Sequence, residues 1–503
     1  MAEISAELNR QLGVLITRSG EVETVILGDY RQIVIPLLSH LRAAAGRLKG
    51  VRCVHTHLAQ EEISQDDLMD LLFLRLDLMT VIMVRQGLPD KMHSVHLVAN
   101  PDQGEDWHFL PPQAPTAQSG DVRELIASVE QEFSRLRPTK DVDKGRDLAI
   151  LVSVTTSSKA RAQESMAELC ELARAADVQV AETVIQRRHK INPKLILGKG
   201  KLSEIMILAL RHNANLLIFD QELNPSQVNS IVSHTDLRVI DRTQLILDIF
   251  ARRALSREGK LQIEMAQLKY LRPRLGLRDD SLSRLTGGIG ARGPGETKLE
   301  IDRRRINDRI ARLNQELKTV AKERYRRRSR RRKKNLPVIS LVGYTNAGKS
   351  TLLNTLTSST ILAEDKLFAT LDPTSRRLRF PEDVEVIITD TVGFIRHLPD
   401  ELMQAFKATL EELQEADLLI HVIDISNPRF VDQMRVVEDI LRDLDLGNIT
   451  LLRVFNKIDL VEPEYLEDQL RMHGGIAVSA QDPATLPPFM DEVKKKVLKE
   501  WQP

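Results

Sequence analysis

Apolar and polar positions alternate in blocks along most of this chain, and the block lengths separate strands from helices. Between residues 146 and 253, Leu148–Val154, Val178–Ile185, Leu216–Asp220 and Leu237–Asp241 are short segments, apolar or rich in Val and Ile, that predict strands. Ala162–Ala176, Lys201–Asn213 and Asn224–Ser233 carry the helical period, with Met166, Leu169, Leu172 and Ala173 on one face of the first. Strands and helices in alternation predict a small α/β domain with a largely parallel sheet. Leu261, Met265, Leu268 and Leu271 then form one helical stripe. Leu299, Ile306, Ile310, Leu313, Leu317 and Val320 keep a 4-and-3 spacing, the seam of a coiled coil. The two stripes predict an antiparallel helical hairpin. Its tip, Thr286–Thr297, holds five glycines and a proline and cannot be helical.

Nearer the N-terminus, Gln11–Thr17 and Val22–Leu27 predict a hairpin across Arg18–Glu21, Val51–Val54 a strand, and Ser64-Gln65-Asp66-Asp67 the start of an amphipathic helix. Residues 100–120, rich in Pro, Gln, Gly and Ser, read as a linker. The expected organisation is an N-terminal α/β extension with its linker (1–120), a linker helix and α/β domain (121–253), the helical hairpin (254–335) and a C-terminal domain (336–503). At 503 residues the chain is long enough for about three domains with their own cores.

The C-terminal domain carries the chemistry. The apolar run Val338–Val342 enters Gly343-Tyr344-Thr345-Asn346-Ala347-Gly348-Lys349-Ser350-Thr351, a G-x-x-x-x-G-K-[ST] loop between strand and helix. Backbone N–H groups of such a loop cradle phosphates at a helix N-terminus. Lys349 would reach the β- and γ-phosphates, and the Ser350 hydroxyl would hold Mg²⁺. Val386–Ile388 leads to Asp390-Thr391-Val392-Gly393, a D-x-x-G at a strand end. There Asp390 would reach Mg²⁺ through a water, and Gly393 would place its N–H on the γ-phosphate. Between them, in Phe368-Ala369-Thr370-Leu371-Asp372, Thr370 is the expected second hydroxyl ligand to Mg²⁺, with Thr374 as its competitor. The expected catalytic set is Lys349, Thr370 and Gly393. Leu451–Phe455 runs into Asn456-Lys457-Ile458-Asp459, where Asp459 would accept from the two edge donors that guanine has and adenine lacks, and Lys457 would lay its stem along the base. Val478-Ser479-Ala480 would offer N–H groups to the guanine oxygen. Four such loops in order, each after an apolar strand, predict a GTP-binding domain. The residue after D-x-x-G is Phe394, whose phenyl ring cannot orient water as a Gln does, so slow hydrolysis is expected from the isolated chain. Neighbouring Arg396 and His397 are available for recruitment.

Six runs resemble the HflX family of translational GTPases: Gly343–Ser350, Phe368–Thr374, Asp390–Pro399, Gly287–Thr297, Val239–Ala254 and Glu258–Leu271. The resemblance spans about residues 147–503. It implies an α/β fold: a P-loop GTPase domain with a mostly parallel sheet, and a small α/β domain with an antiparallel helical hairpin. It also implies GTP and GDP as ligands, Mg²⁺ as cofactor, hydrolysis of ATP as well as GTP, binding to the large ribosomal subunit and its RNA, hydrolysis stimulated there, and splitting or rescue of stalled ribosomes. The hairpin tip, with Arg284 and Arg292 beside its glycines, would reach the peptidyl-transferase region. E. coli-type members carry a short domain after the GTPase, whereas here Pro503 follows soon after the last expected helix. Gly198-Lys199-Gly200-Lys201 precedes a helix, but as a phosphate site it is a weak pattern.

The N-terminal domain weakly resembles JAMM metalloproteases. His55-Thr56-His57 with Asp67 at a helix start would form a Zn²⁺ site of two imidazoles and a carboxylate. The spacing to Ser64 is one residue short, Leu58 stands where that family has Pro, and Gln11 stands where a base Glu belongs. The resemblance implies a JAMM-like α/β fold, and these departures imply lost peptidase activity; the alternative is two histidines on a half-buried strand without a metal.

Composition adds three points. Net charge is +1, so the balance as a whole selects no partner. Charge is local: nine of the eleven residues Arg324–Lys334 are basic, a run that attracts phosphate backbones. Two cysteines, Cys53 and Cys170, are too few for a disulfide framework, and no apolar stretch serves as a signal peptide or membrane span, so a cytoplasmic location is expected; a monomer is the expected state, although none of these features bears on it. Two other function classes stay open on the residues: a metal-dependent isopeptidase regulated by its GTPase domain, and a GTPase switch on a membrane or protein complex.

Overall fold

The computed structural model describes residues 1–36, 38, 48–59, 61–98, 107–116, 121–135, 147–193, 196–232, 235, 237–277, 298–332, 336–357, 367–368, 374–379, 385–396, 403 and 413–500. The chain divides into two compact units, Met1–Ala173 with Asp177–Arg242, and Arg174–Ala176 with Thr243–Pro503. No described helix is long and apolar enough to cross a membrane.

The first unit opens with α1 (Ala2–Leu8), followed by strands β1 (Leu12–Thr17), β2 (Val22–Leu27) and β3 (Val51–His57) and helix α2 (Gln65–Phe73). Strands β4 (Met79–Arg85), β5 (Leu88–Leu97) and β6 (Trp107–Phe109) complete a mixed sheet ordered β2-β1-β3-β4-β5-β6. Helix α3 (Val122–Arg135) is fastened to it: Arg18 pairs with Glu130, and Arg123 donates to the Arg18 carbonyl. Next come β7 (Leu148–Thr155), α4 (Lys159–Ala175), β8 (Gln179–Arg187), α5 (Lys199–His212), β9 (Leu216–Phe219), α6 (Pro225–Val232) and β10 (Arg238–Asp241). Their strands form a wholly parallel sheet ordered β10-β9-β7-β8, as alternating strands and helices require. The helical face Met166, Leu169, Leu172 and Ala173 is buried. One apolar core runs under both sheets, with Leu68, Leu71 and Leu72 of α2 and Leu202, Ile205 and Met206 of α5 among its members. The α2 capping box is formed: the Ser64 side chain accepts from the Asp67 N–H, and the Asp67 carboxylate accepts from the Ser64 N–H.

The second unit contains α7 (Arg242–Arg253, from Thr243 onward), α8 (Arg257–Leu271) and α9 (Lys298–Arg332). Glu264 pairs with Arg309 and Arg257 with Glu316, so α8 and α9 run antiparallel. Leu261, Met265 and Leu313 form the buried seam, flanked by Leu268, Leu317 and Val320. The tip Thr286–Thr297, with Arg292, and Arg284 before it lie outside the described residues. Beyond the hairpin come β11 (Val338–Gly343), α10 (Lys349–Thr357), β12 (Thr374–Arg379), β13 (Glu385–Asp390), β14 (Leu418–Asp424), α11 (Phe430–Asp443), β15 (Leu451–Asn456), α12 (Pro463–His473), β16 (Ile476–Ala477) and α13 (Pro487–Glu500). The sheet is ordered β12-β13-β11-β14-β15-β16, and only edge strand β12 is antiparallel to its neighbour. Ile339, Leu341, Ile388, Ile420 and Val454 fill its core with Phe489 of α13.

Candidate nucleotide-binding site

Parallel strands deliver their carboxyl ends to one edge of the sheet, and ligands of such sheets bind at that edge. Gly343 ends β11, Asp390 ends β13, Asp424 ends β14 and Asn456 ends β15. The loops that begin at Gly343, Asp390 and Asn456 are therefore neighbours.

At the phosphate loop, Lys349 and Ser350 open α10, and Thr351 follows. The buried Lys349 ammonium donates to the carbonyls of Gly343 (3.1 Å) and Tyr344 (2.8 Å). Burial lowers its pKa to about 8, against the pull of Asp390. The Ser350 hydroxyl donates to Asp390 Oδ2 at 2.6 Å, so the two oxygens expected to serve one Mg²⁺ already meet. A hydroxyl and a carboxylate are the hard oxygen donors this ion takes. Thr391 ties the start of the next loop back to β11 by donating to the Leu341 carbonyl.

Asn456 joins the phosphate side to the base side. Its Nδ2 donates to the Ala347 carbonyl (2.9 Å), and its Oδ1 accepts from the Ala480 N–H (2.8 Å). Gly348 has φ +90°, and a Cβ there would lie 2.1 Å from Asn456 Nδ2, so conformation and space both exclude a larger residue. Asn346, also in the loop, takes the left-handed conformation at φ 61°. On the base side, Lys457 Nζ pairs with Asp424 Oδ2 at 2.7 Å, and Asp459 accepts from the Ser479 hydroxyl at 2.6 Å. Ile458 packs against the small cluster of Phe430 and Phe455. The N–H groups of Val478, Ser479 and Ala480 bond to Phe455 O, Thr485 Oγ1 and Asn456 Oδ1. A guanine oxygen would share them with these internal acceptors.

The segment after D-x-x-G is bound to the phosphate loop. Thr345 N–H donates to the Phe394 carbonyl (2.8 Å), and Phe394 N–H to the Gly343 carbonyl (3.1 Å). A Cβ at Gly393 would fall 2.8 Å from Thr345 Cα and 3.0 Å from Lys349 Nζ, so only glycine allows this approach. Val392 and Phe394 are buried. The Tyr344 hydroxyl accepts from the Arg396 N–H, and the Arg396 guanidinium lies 3.7 Å from Asp432. Phe368 packs against Phe250 of α7 with ring centroids 4.6 Å apart and planes tilted by 49°, and Arg253 donates to the Leu367 carbonyl. Ala369, Thr370, Leu371, Asp372 and His397 lie outside the described residues. Thr374 opens β12 opposite Asp390 in the ladder.

None of the sequence motifs includes Asp424, although Leu418–Ile423, apolar except for His421, leads into an Asp as Val386–Thr389 does. In the first unit, His55, His57 and Asp67 also come together, all buried.

Three family profiles match the chain: "GTP-binding GTPase N-terminal" over residues 163–251, "GTP-binding GTPase Middle Region" over 253–331 and "50S ribosome-binding GTPase" over 338–457. GTPase HflX of Caldanaerobacter subterraneus subsp. tengcongensis is 45% identical over 363 residues, covering 72% of this chain and 83% of its own. That of Lacrimispora saccharolytica is 49% identical over 333 residues (66% and 78%). That of Escherichia coli K12 is 43% identical over 337 (66% and 79%).

Proposed function

Because the chain belongs to the HflX family of GTPases, we propose that it docks on the large ribosomal subunit and that this contact switches on a GTP hydrolysis which the chain alone performs slowly. Phe394 carries the reading. Where a water-orienting side chain is needed, a buried phenyl ring stands, its backbone bonded to the phosphate loop. Rearrangement of that segment by a partner would supply what the ring cannot.

The residue roles follow from the chemistry of each loop. N–H groups of Gly343-Tyr344-Thr345-Asn346-Ala347-Gly348 and the first turn of α10 cradle the phosphates, and Lys349 exchanges its two carbonyl partners for phosphate oxygens. Mg²⁺, which neutralises charge on the phosphates when bound, would be held by Ser350 and Thr370, with Asp390 acting through a water; the Ser350–Asp390 contact supports that assignment. Gly393 reports the γ-phosphate. Asp459 and Lys457 select guanine, with Asn456 holding base loop and phosphate loop in register. The helical hairpin and the basic run Arg324–Lys334 face ribosomal RNA, and splitting or rescue of stalled ribosomes is the work the GTP cycle drives.

The test is GTP turnover by the full chain, alone and with purified large subunits. Stimulation is expected, and Lys349→Ala should lower the stimulated rate by about 10²-fold or more, as removal of a charged stabiliser does elsewhere. Equal turnover with and without subunits would refute the ribosome assignment.

A further inference from the structure

We propose that the first unit contains a second metal centre, in which His55, His57 and Asp67 hold a borderline divalent ion of the zinc type, chemically separate from the nucleotide site. Residues 55 and 57 lie two apart on β3, so both imidazoles project from one face. Asp67 enters from the first turn of α2. His55 Nε2 lies 3.0 Å from His57 Nε2 and 3.1 Å from Asp67 Oδ1, and His57 Nε2 lies 3.5 Å from Asp67 Oδ2. Zinc bonds to nitrogen and oxygen of about 2.0–2.2 Å, at tetrahedral angles, place neighbouring ligand atoms about 3.3–3.6 Å apart. The imidazole pair and the His55–Oδ1 pair fall within a few tenths of an ångström of that figure, and one ligand atom from each of the three residues can be chosen so that all lie within 4.8 Å of one another.

The tautomers and the supporting bonds agree. His57 Nδ1 lies 3.0 Å from the Glu61 carbonyl, which can only accept, so the proton sits on Nδ1 and the Nε2 lone pair faces the cluster. Asp67 Oδ2 is held by the Ser64 N–H (2.8 Å) and hydroxyl (2.7 Å), which orients the carboxylate and turns Oδ1 toward His55. A proton bridges one pair of these ligands at a time, whereas a dication satisfies all three. The burial of the triad raises the cost of leaving facing lone pairs uncompensated.

An independent observation marks the open side. In the antiparallel β1–β3 ladder Gly13 pairs with His55, so continuing the register sets Gln11 opposite His57, on the same face of the sheet. Gln11 is 2% exposed, and its Oε1 has no hydrogen-bond partner among the described residues. A water on the ion's fourth position would donate to it. An amide accepts that bond but does not take the proton, so the centre binds metal without hydrolytic activity. Two imidazoles and a carboxylate favour a borderline ion over Mg²⁺ or Ca²⁺.

The experiment strips the full-length protein with a chelator and titrates it with Zn²⁺ against a chromogenic competitor, with cobalt(II) as a spectroscopic stand-in. The expected results are one equivalent of Zn²⁺, a rise in Tm, and the visible absorption of tetrahedral cobalt. In His55→Ala/His57→Ala, and in the milder His57→Gln, affinity should fall at least about 100-fold, the upper part of the loss seen when even outer-sphere support is removed. Circular dichroism and unchanged GTP turnover serve as folding controls. Wild-type binding well below one equivalent would overturn the proposal. So would equal binding by a folded His57→Gln variant, or octahedral cobalt spectra.

Discussion

Lys349 is the residue at which charge, burial and ligand meet. Its folded pKa of about 8 lies below the ordinary value of 10.5. Between these two values the unfolded chain therefore holds more protons than the folded one. Stability conferred on the nucleotide-free chain by this group rises with pH across that window and is lowest below it. Phosphate oxygens beside the ammonium would draw its pKa back up, so nucleotide binding near pH 8 should take up about half a proton, and near pH 6.5 almost none from this group. Calorimetry of GDP binding in two buffers of different protonation heat measures this directly; no uptake at pH 8 would show that the phosphates leave the ammonium unperturbed. The identity of Lys349 was legible from the loop spacing alone. Its present partners were not, since no local pattern tells that two carbonyls of the same loop accept from it. Asp459 and Ser479 teach the same lesson: the tetrad names the carboxylate, but a 2.6 Å bond between loops 20 residues apart depends on where β15 and β16 end.

At the scale of elements, periodicity did most of the work. The stripe of α8 and the seam of α9 could be read because 4-and-3 spacing has one physical cause, the burial of one helix face against another. Leu313 is fully buried at that seam, beside Leu261 and Met265. Leu313→Ala should cost about 2–4 kcal/mol locally, because the cavity adds to the lost transfer energy. Hydrogen exchange should then show α8 and α9 opening more readily, while nucleotide affinity stays as it was; a matching loss of nucleotide affinity would mean that hairpin and GTPase sheet unfold as one. The central strands of the parallel sheets, such as β7, β9 and β14, were legible for a related reason, being almost wholly apolar and buried. Edge strand β12, Thr374–Arg379 with three arginines, gave no such signal, because an edge strand needs only one buried face.

For the whole molecule, neutrality conceals polarity. A chain of net charge +1 carries nine basic residues among the eleven from Arg324 to Lys334. If that run meets RNA phosphates, subunit-stimulated turnover should fall steeply with salt, affinity dropping by about 10³-fold or more between 50 and 200 mM when six or more phosphates are neutralised. Replacing Arg326, Arg327 and Arg328 with Gln should flatten the slope by about three of those contacts, while turnover without subunits stays unchanged. A salt dependence identical in the two proteins would assign the run to solvent. The pairing of Thr345 and Phe394 also has a consequence for the whole cycle. If nucleotide claims the Thr345 N–H, as proposed above, it competes with a contact the protein makes with itself, and apparent affinity becomes the intrinsic affinity scaled by the fraction of time that contact is open. A partner that pulls the Phe394 segment aside would thus tighten GTP binding and hasten its hydrolysis through one movement, making recruitment and firing a single event.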